Sequence, residues 1–242
     1  YTSYFQNILS KFESILDEKN ITFASHYSPY LQAKLTKSQI ENLSRSNLIE
    51  KILYFDSTKI KFETCSDTEV STVSSDDQQT ENLTATGIKK NIDDYNLTGA
   101  GVTVGIIDDG FSYQHLNMNF SRINYNTNVY GEISTNGTHG DYTSAIIGAN
   151  NDNFKGAVSD CNMYFANSSP YYTKSIEWLV DKGCNVINAS ILMGYGGVNV
   201  YDGFGKWLDS VSQRANVTIV ISSGNSGENS LCGSAMAYNP IV

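Results

Sequence analysis

The segment Val102-Thr103-Val104-Gly105-Ile106-Ile107-Asp108-Asp109-Gly110 is apolar on consecutive positions and then stops at two carboxylates and a glycine. A strand with one face in water alternates polar and apolar residues, whereas one covered on both faces is apolar throughout. The segment therefore reads as an interior strand of a parallel sheet, with Asp108 at its carboxyl end. Loops leaving that end of an open α/β sheet form the crevice where such folds place their chemistry. Taken alone, Asp-Asp-Gly is also the composition of a solvated turn. The assignment depends on what the rest of the chain sets beside it.

From residue 99 onward, apolar strand-like runs alternate with helical patterns over residues 102–107, 140–149, 162–166, 173–182, 184–190, 204–214 and 217–222. This alternation predicts a doubly wound parallel sheet. His139 stands in Asn136-Gly137-Thr138-His139-Gly140, directly before a small-residue helix that begins Asp141-Tyr142-Thr143-Ser144-Ala145. The positive end of the helix dipole keeps an imidazole there neutral and available as a base. Gly224-Asn225-Ser226-Gly227 follows the apolar run Val217-Thr218-Ile219-Val220-Ile221, so an amide is displayed at another strand end. The aspartate can hold the tautomer of the histidine, the histidine can take a proton from a nucleophile, and the asparagine can donate to a developing oxyanion. Singly, each also reads as a turn or loop residue.

The first hundred residues follow a different pattern. Phe5, Ile8, Leu9, Phe12, Ile15 and Leu16 recur at three- and four-residue spacing, which predicts a helix over residues 3–18. Residues 21–35 and 50–62 read as strand, and Thr36 with Gln39 forms a capping-box signature ahead of Ile40, Leu43 and Leu48, which starts a second helix. Together these make a small α/β plait. Residues 64–84 are rich in Ser, Thr, Asp, Glu and Gln, and such a stretch cannot repay the entropy of ordering. The division expected is a first unit over 1–63, a linker over 64–87 and a larger unit over 88–242.

Composition narrows the classes of function. The formal net charge of −9, without a Lys/Arg cluster, argues against nucleic acid and against anionic membrane surfaces. No apolar run reaches the 18 residues of a membrane span. Cys65, Cys161, Cys184 and Cys232 lack Cys-x-x-Cys spacing, which argues against a zinc site or a dense disulfide framework and leaves the redox compartment open. The Asn-x-Ser/Thr sequons include Asn188 in a strand-like run, so they read as a by-product of an Asn-rich chain. An opening Tyr1 in place of Met suggests a trimmed precursor or a cut chain.

At the level of motifs, residues 88–242 resemble the subtilisin-like serine proteases, with a prodomain-like unit ahead of them. Val104-Gly105-Ile106-Ile107-Asp108-Asp109-Gly110-Phe111 is similar to the family's Val-Ala-Val-Ile-Asp-Thr/Ser-Gly-Ile, which implies Asp108 as the triad aspartate. Gln114-His115-Leu116 is similar to the Ser-His-Pro-Asp-Leu that follows in many members, so His115 is not the catalytic histidine. His139-Gly140 with Ala145-Ile146-Ile147-Gly148 fits His-Gly-Thr-x-Val-Ala-Gly-Ile-Ile-Ala. A competing register through Gly137-Thr138-His139 puts Asn136 at the catalytic position and throws the following helix out of step. Ser222-Ser223-Gly224-Asn225-Ser226-Gly227 resembles Ala-Ala-Gly-Asn-Glu-Gly, which implies Asn225 as the oxyanion donor. Ile176-Glu177-Trp178 and Val186-Ile187-Asn188-Ala189-Ser190 resemble Ile-Glu-Trp-Ala and Val-Ile-Asn-Met-Ser-Leu-Gly, which implies that Ser190, Ile191 and Leu192 line the P1 pocket.

What the resemblance implies is a doubly wound α/β sheet of subtilisin type, truncated, preceded by an inhibitory propeptide, in a secreted or cell-surface endopeptidase acting on proteins or peptides. Its nucleophile motif, Gly-Thr-Ser-Met-Ala, is expected beyond Val242, and this polypeptide alone is expected to be inactive. Gly233-Ser234-Ala235-Met236-Ala237 imitates that motif, but only ten positions separate Asn225 from Ala235, too few for the intervening strands. No cofactor is required. Calcium is expected only as a possible structural ion, since Asn150-Asn151-Asp152-Asn153 offers oxygen ligands that also suit a plain turn. The alternative is a catalytically inactive relative that uses the fold as a scaffold, which the unusual Asp109, Asp141 and Tyr142 would permit.

Overall fold

The computed structural model describes residues 2–13, 15–54, 75–108, 110–111, 123–125, 139–150, 154–168, 172–191, 200–225, 231 and 233–242. Helix α1 spans Thr2–Glu13, and a 3-10 turn at Glu18–Asn20 leads into strand β1, Ile21–Ala24, which pairs antiparallel with β2, Leu31–Ala33. Helix α2, Lys37–Leu43, begins at the capping box read from the sequence: the Gln39 amide donates to Thr36 Oγ1 at 3.3 Å and the Thr36 amide to Gln39 Oε1 at 2.8 Å. It is short and ends at Leu43, so Leu48, read from the sequence as part of the same apolar pattern, lies beyond it. Residues 51–54 form no strand, and the rest of the stretch read as strand over 50–62 lies outside the described residues.

Part of the stretch read as a linker is helical, over α3, Ser75–Ala85. Gln, Glu, Leu and Ala within it are good helix formers, and in its last turns the Thr84 hydroxyl donates to the Thr80 carbonyl at 2.7 Å. Helix α4, Ile88–Tyr95, follows and ends on Asn96, whose φ of 54° is the left-handed conformation that asparagine tolerates. Its exposed face carries Lys89–Asp93 and Lys90–Asp94, pairs four residues apart.

The second unit is built on β3, Thr103–Asp108; β4, Ile123–Tyr125; β5, Asn162–Asn167; β6, Val186–Ala189; and β7, Thr218–Ile221. They lie in the order β4-β5-β3-β6-β7, and every neighbouring pair is parallel. Helices α5, His139–Gly148; α6, Tyr172–Asp181; and α7, Gly203–Ala215, connect them. The core divides by the twofold alternation of strand side chains. Val104 and Ile106 face one way, into a cluster with Ala145 of α5, Ala149 just past its end, and Phe111, Met163 and Phe165. Ile107 faces the other, among Ile176 and Leu179 of α6 and Phe204, Trp207, Leu208 and Val211 of α7. The β3 residues are therefore covered on both faces, as the unbroken apolar run requires. Strand β4 has no counterpart among the runs read from the sequence, because three residues are too few to show a period.

The β1–β2 hairpin lies on α6 and α7. Phe23 meets Trp207 edge-on at 6.4 Å between ring centroids, and Tyr30 lies 6.2 Å from the same ring. Beneath them, the buried Glu177 carboxylate of α6 accepts from the Ser25 hydroxyl, from the His26 amide at 3.0 Å and from Trp207 Nε1 at 3.0 Å. Burial raises the Glu177 pKa, and the hydrogen bonds offset only part of that rise. Around this centre the Tyr27 hydroxyl donates to Asp181 at 3.1 Å, Arg214 donates to the Tyr27 carbonyl, and Lys206 reaches Glu50 at 2.9 Å.

Candidate active site

Asp108 is the last residue of the central strand, with 0% of its surface exposed. Both neighbouring strands run beside it: Asp108 pairs in register with Asn167 of β5, and Ile107 with Ala189 of β6. Its carbonyl accepts the Ser168 amide at 2.9 Å. Side chains at this position have little freedom, because the strand that carries them is held from both sides.

His139 opens α5, and its Nδ1 lies 2.7 Å from Asp108 Oδ1. A carboxylate oxygen can only accept, so in the neutral imidazole this contact puts the proton on Nδ1 and leaves Nε2 as the acceptor. The imidazole is 20% exposed where the aspartate is fully covered, so one partner of the pair is anchored and the other is reachable from solvent. The Thr143 hydroxyl donates to the second carboxylate oxygen, Oδ2, at 2.9 Å. His115 and Asn136, the other candidates near this position, lie outside the described residues.

The turn into α5 is set by a close approach of backbones. Gly140 donates its amide to the Gly110 carbonyl at 3.0 Å. A Cβ at Gly140 would sit 2.6 Å from Phe111 Cε1 and 2.7 Å from the Gly110 oxygen. Phe111 cannot yield, since it is wholly buried and stacked on Phe165 at 4.7 Å. Gly140→Ala is therefore expected to cost about 1–3 kcal/mol, as overpacking of a filled core does. The check is the midpoint of thermal unfolding, which should fall by several degrees; an unchanged midpoint would show that the Phe111 wedge does not hold the helix start.

Asn225 follows β7 and is exposed, past Gly224, whose φ of 104° only glycine adopts readily. It lies beyond the same carboxyl edge as Asp108 but two strands away, about 10 Å across the sheet at the usual spacing. The structure thus brings Asp108 and His139 into contact and places Asn225 two strands along the same edge of the sheet. Of the residues read as a P1 pocket, Ser190 is half-buried and accepts from Asn188 Nδ2 at 2.9 Å, Ile191 is wholly buried in the core, and Leu192 lies outside the described residues.

Neither Thr143 nor Ser168, both beside Asp108, carries a signal in the sequence. The small-residue pattern of α5 concealed the first, whose role depends on which way one hydroxyl points. Ser168 is wholly buried beside Asp108, and its Oγ has no hydrogen-bond partner among the described residues. No group of three or more His, Cys, Asp or Glu side chains among the described residues is placed to hold a metal. Asn150 spends its amide on the Ser159 carbonyl at 3.1 Å and on Asp160 at 3.2 Å, and residues 151–153 lie outside the described residues. No helix among the described residues is long and apolar enough to cross a membrane.

Among solved structures, the chain is similar to the CspB protease of Clostridium perfringens, with 19% identity and a TM-score of 0.50, over 61% of this chain and 41% of that one. It is also similar to MycP1 from Mycobacterium smegmatis, at 20% identity and a TM-score of 0.45, over 62% of this chain and 46% of that one. The patellamide maturation protease PatA aligns at 22% identity and a TM-score of 0.44, over 55% and 52% of the two chains. The chain thus spans about half or less of the length of these structures. At such identities the likeness to CspB speaks for the shared fold alone. No curated protein matches the sequence. The Subtilase family profile matches residues 99–240, the stretch that carries the sheet, the Asp108–His139 contact and the Asn225 loop. The parallel sheet flanked by helices and this match agree, and the chain belongs to the subtilase family.

Proposed function

We propose that this chain supplies the acid–base half of a serine endopeptidase. The observation that carries the reading is the 2.7 Å contact between the exposed-edge imidazole of His139 and the wholly buried Asp108 at the carboxyl end of the central strand. In this reading, His139 Nε2 takes the proton of a serine hydroxyl supplied beyond Val242, while that oxygen attacks a peptide carbonyl. The same Nε2 then returns the proton to the departing amine, and water releases the acyl group by the reverse sequence. Asn225 donates to the oxyanion, and the Ser190–Leu192 segment borders the P1 side chain. The β1–β2 hairpin and its flanking helices act as the propeptide, covering α6 and α7 and inhibiting the enzyme until removed. Secretion or display at the cell surface fits a protease held in this way.

The test uses the protein with its downstream region and with the N-terminal unit removed after folding. It is incubated with an unstructured protein substrate and, separately, with a serine-directed fluorophosphonate. Hydrolysis together with covalent labelling is expected. Absence of both, in protein that is folded, replaces the protease reading with that of a scaffold.

A further inference from the structure

Thr143 lies one turn into α5, four residues after His139, so both side chains project from one face of the helix. Its Oγ1 is 2.9 Å from Asp108 Oδ2, while His139 Nδ1 is 2.7 Å from Oδ1. Oγ1 also lies 3.2 Å from the Gly140 carbonyl. A hydroxyl has a single proton, and the choice between these acceptors is decided by charge. A buried carboxylate is the stronger acceptor, and pointing the proton elsewhere would turn an oxygen lone pair on it at 2.9 Å. The bond therefore runs to Asp108. In the subtilase pattern given above, valine occupies this position, so the hydroxyl is a departure of this chain.

Building on the protease reading, we propose that Thr143 is a positioning residue that fixes the Asp108 carboxylate for His139. A donor on one oxygen restrains a carboxylate's rotation about its last bond less than donors on both do. Donors on both oxygens, issued from one helix, hold its plane. The hydroxyl also draws negative charge away from Oδ1, which lowers the pull of the carboxylate on an imidazolium proton. Losing it concentrates charge on the oxygen that faces Nδ1 and raises the proton affinity of His139.

The acidic side chains on the two elements that carry the pair are Asp108 on β3 and the buried Asp141 on α5, and both stay in place in every variant. The chain has three histidines, so the imidazole nitrogens can be followed individually by NMR on the whole chain labelled with nitrogen-15 histidine. Thr143→Val should raise the His139 titration midpoint by about one pH unit, tenfold in proton affinity. Thr143→Ser, which keeps the hydroxyl, should return it to the wild-type value. Thr143→Ala serves if the valine variant does not fold, and is read the same way. A midpoint that does not move with valine, that falls, or that serine does not restore in folded protein overturns the proposal. In the full-length protein, valine should lower kcat about tenfold with KM unchanged. If the midpoint moves but no variant, wild type included, hydrolyses a substrate, the protease reading fails while the positioning role of Thr143 stands. If hydrolysis is normal and the midpoint is fixed, the reverse holds.

Discussion

Replacing His139 with alanine, in protein that carries the downstream serine, should lower kcat about 10^6-fold, the loss that removal of the base brings in subtilisin. The size follows from the geometry. With Nδ1 engaged by Asp108 at 2.7 Å, Nε2 is the one position that can both take and return the proton, and no other imidazole is described near it. Asn225→Ala should cost less, roughly 10^2- to 10^3-fold, the range for a single oxyanion donor. Such a donor stabilises charge that forms without it, whereas the base is needed for the charge to form. The measurement is kcat on an unstructured substrate for both variants beside the wild type. Equal losses, or a larger loss at Asn225, would reject the assignment of roles, and a His139→Ala enzyme of ordinary activity would reject the pair.

Phe23→Ala should free the β1–β2 hairpin from α6 and α7. Phe23 is 7% exposed and packs edge-on against Trp207, and truncating such a side chain costs about 3–5 kcal/mol. At 1.4 kcal/mol per factor of ten, this weakens docking by 10^2-fold or more. Glu177→Ala should act on the same equilibrium from the opposite side of the contact. It removes the acceptor for the Ser25 hydroxyl, the His26 amide and Trp207 Nε1, and an unpaired buried donor costs about 1–3 kcal/mol. Hydrogen exchange on the whole chain reads the result. The backbone amides of His26, Tyr27 and Ser28 should exchange at least a hundredfold faster in either variant while β3, β5 and β6 stay protected. Unchanged protection over residues 26–28, or simultaneous loss in the sheet, would show that the hairpin is not a separately released unit.

The sheet was legible because each of its long strands is a short apolar run of the wrong period for a helix, separated from the next by helical spacing. Val104–Ile107 and Val217–Ile221 illustrate this, and their neighbours in the sheet agree with it. The capping box at Thr36 was legible because it is a contact between residues three apart. Asp108 and His139 stand 31 positions apart, and their meeting was legible only through the motifs around them. The Thr143 hydroxyl, the Glu177 cluster and β4 were not legible. The first two depend on side-chain directions across separate elements, and a glutamate on an amphipathic helix reads as solvated. The same holds for Cys184, a thiol that burial pushes up to about 12 and that looks like any other cysteine in the sequence.

The order β4-β5-β3-β6-β7 also has a consequence for synthesis. The strand that carries Asp108 has no partner among the residues near it in the chain: Thr103 pairs with Asn162, 59 positions later, and Val104 pairs with Val186, 82 positions later. On a ribosome adding about 5–20 residues per second, β3 waits roughly 3–12 s for its first neighbour and longer for its second. Throughout that interval an unpaired Val-Gly-Ile-Ile edge is open to any extended strand nearby. The central placement that makes Asp108 rigid in the finished molecule thus makes its strand, during translation, the segment most in need of shielding from other chains.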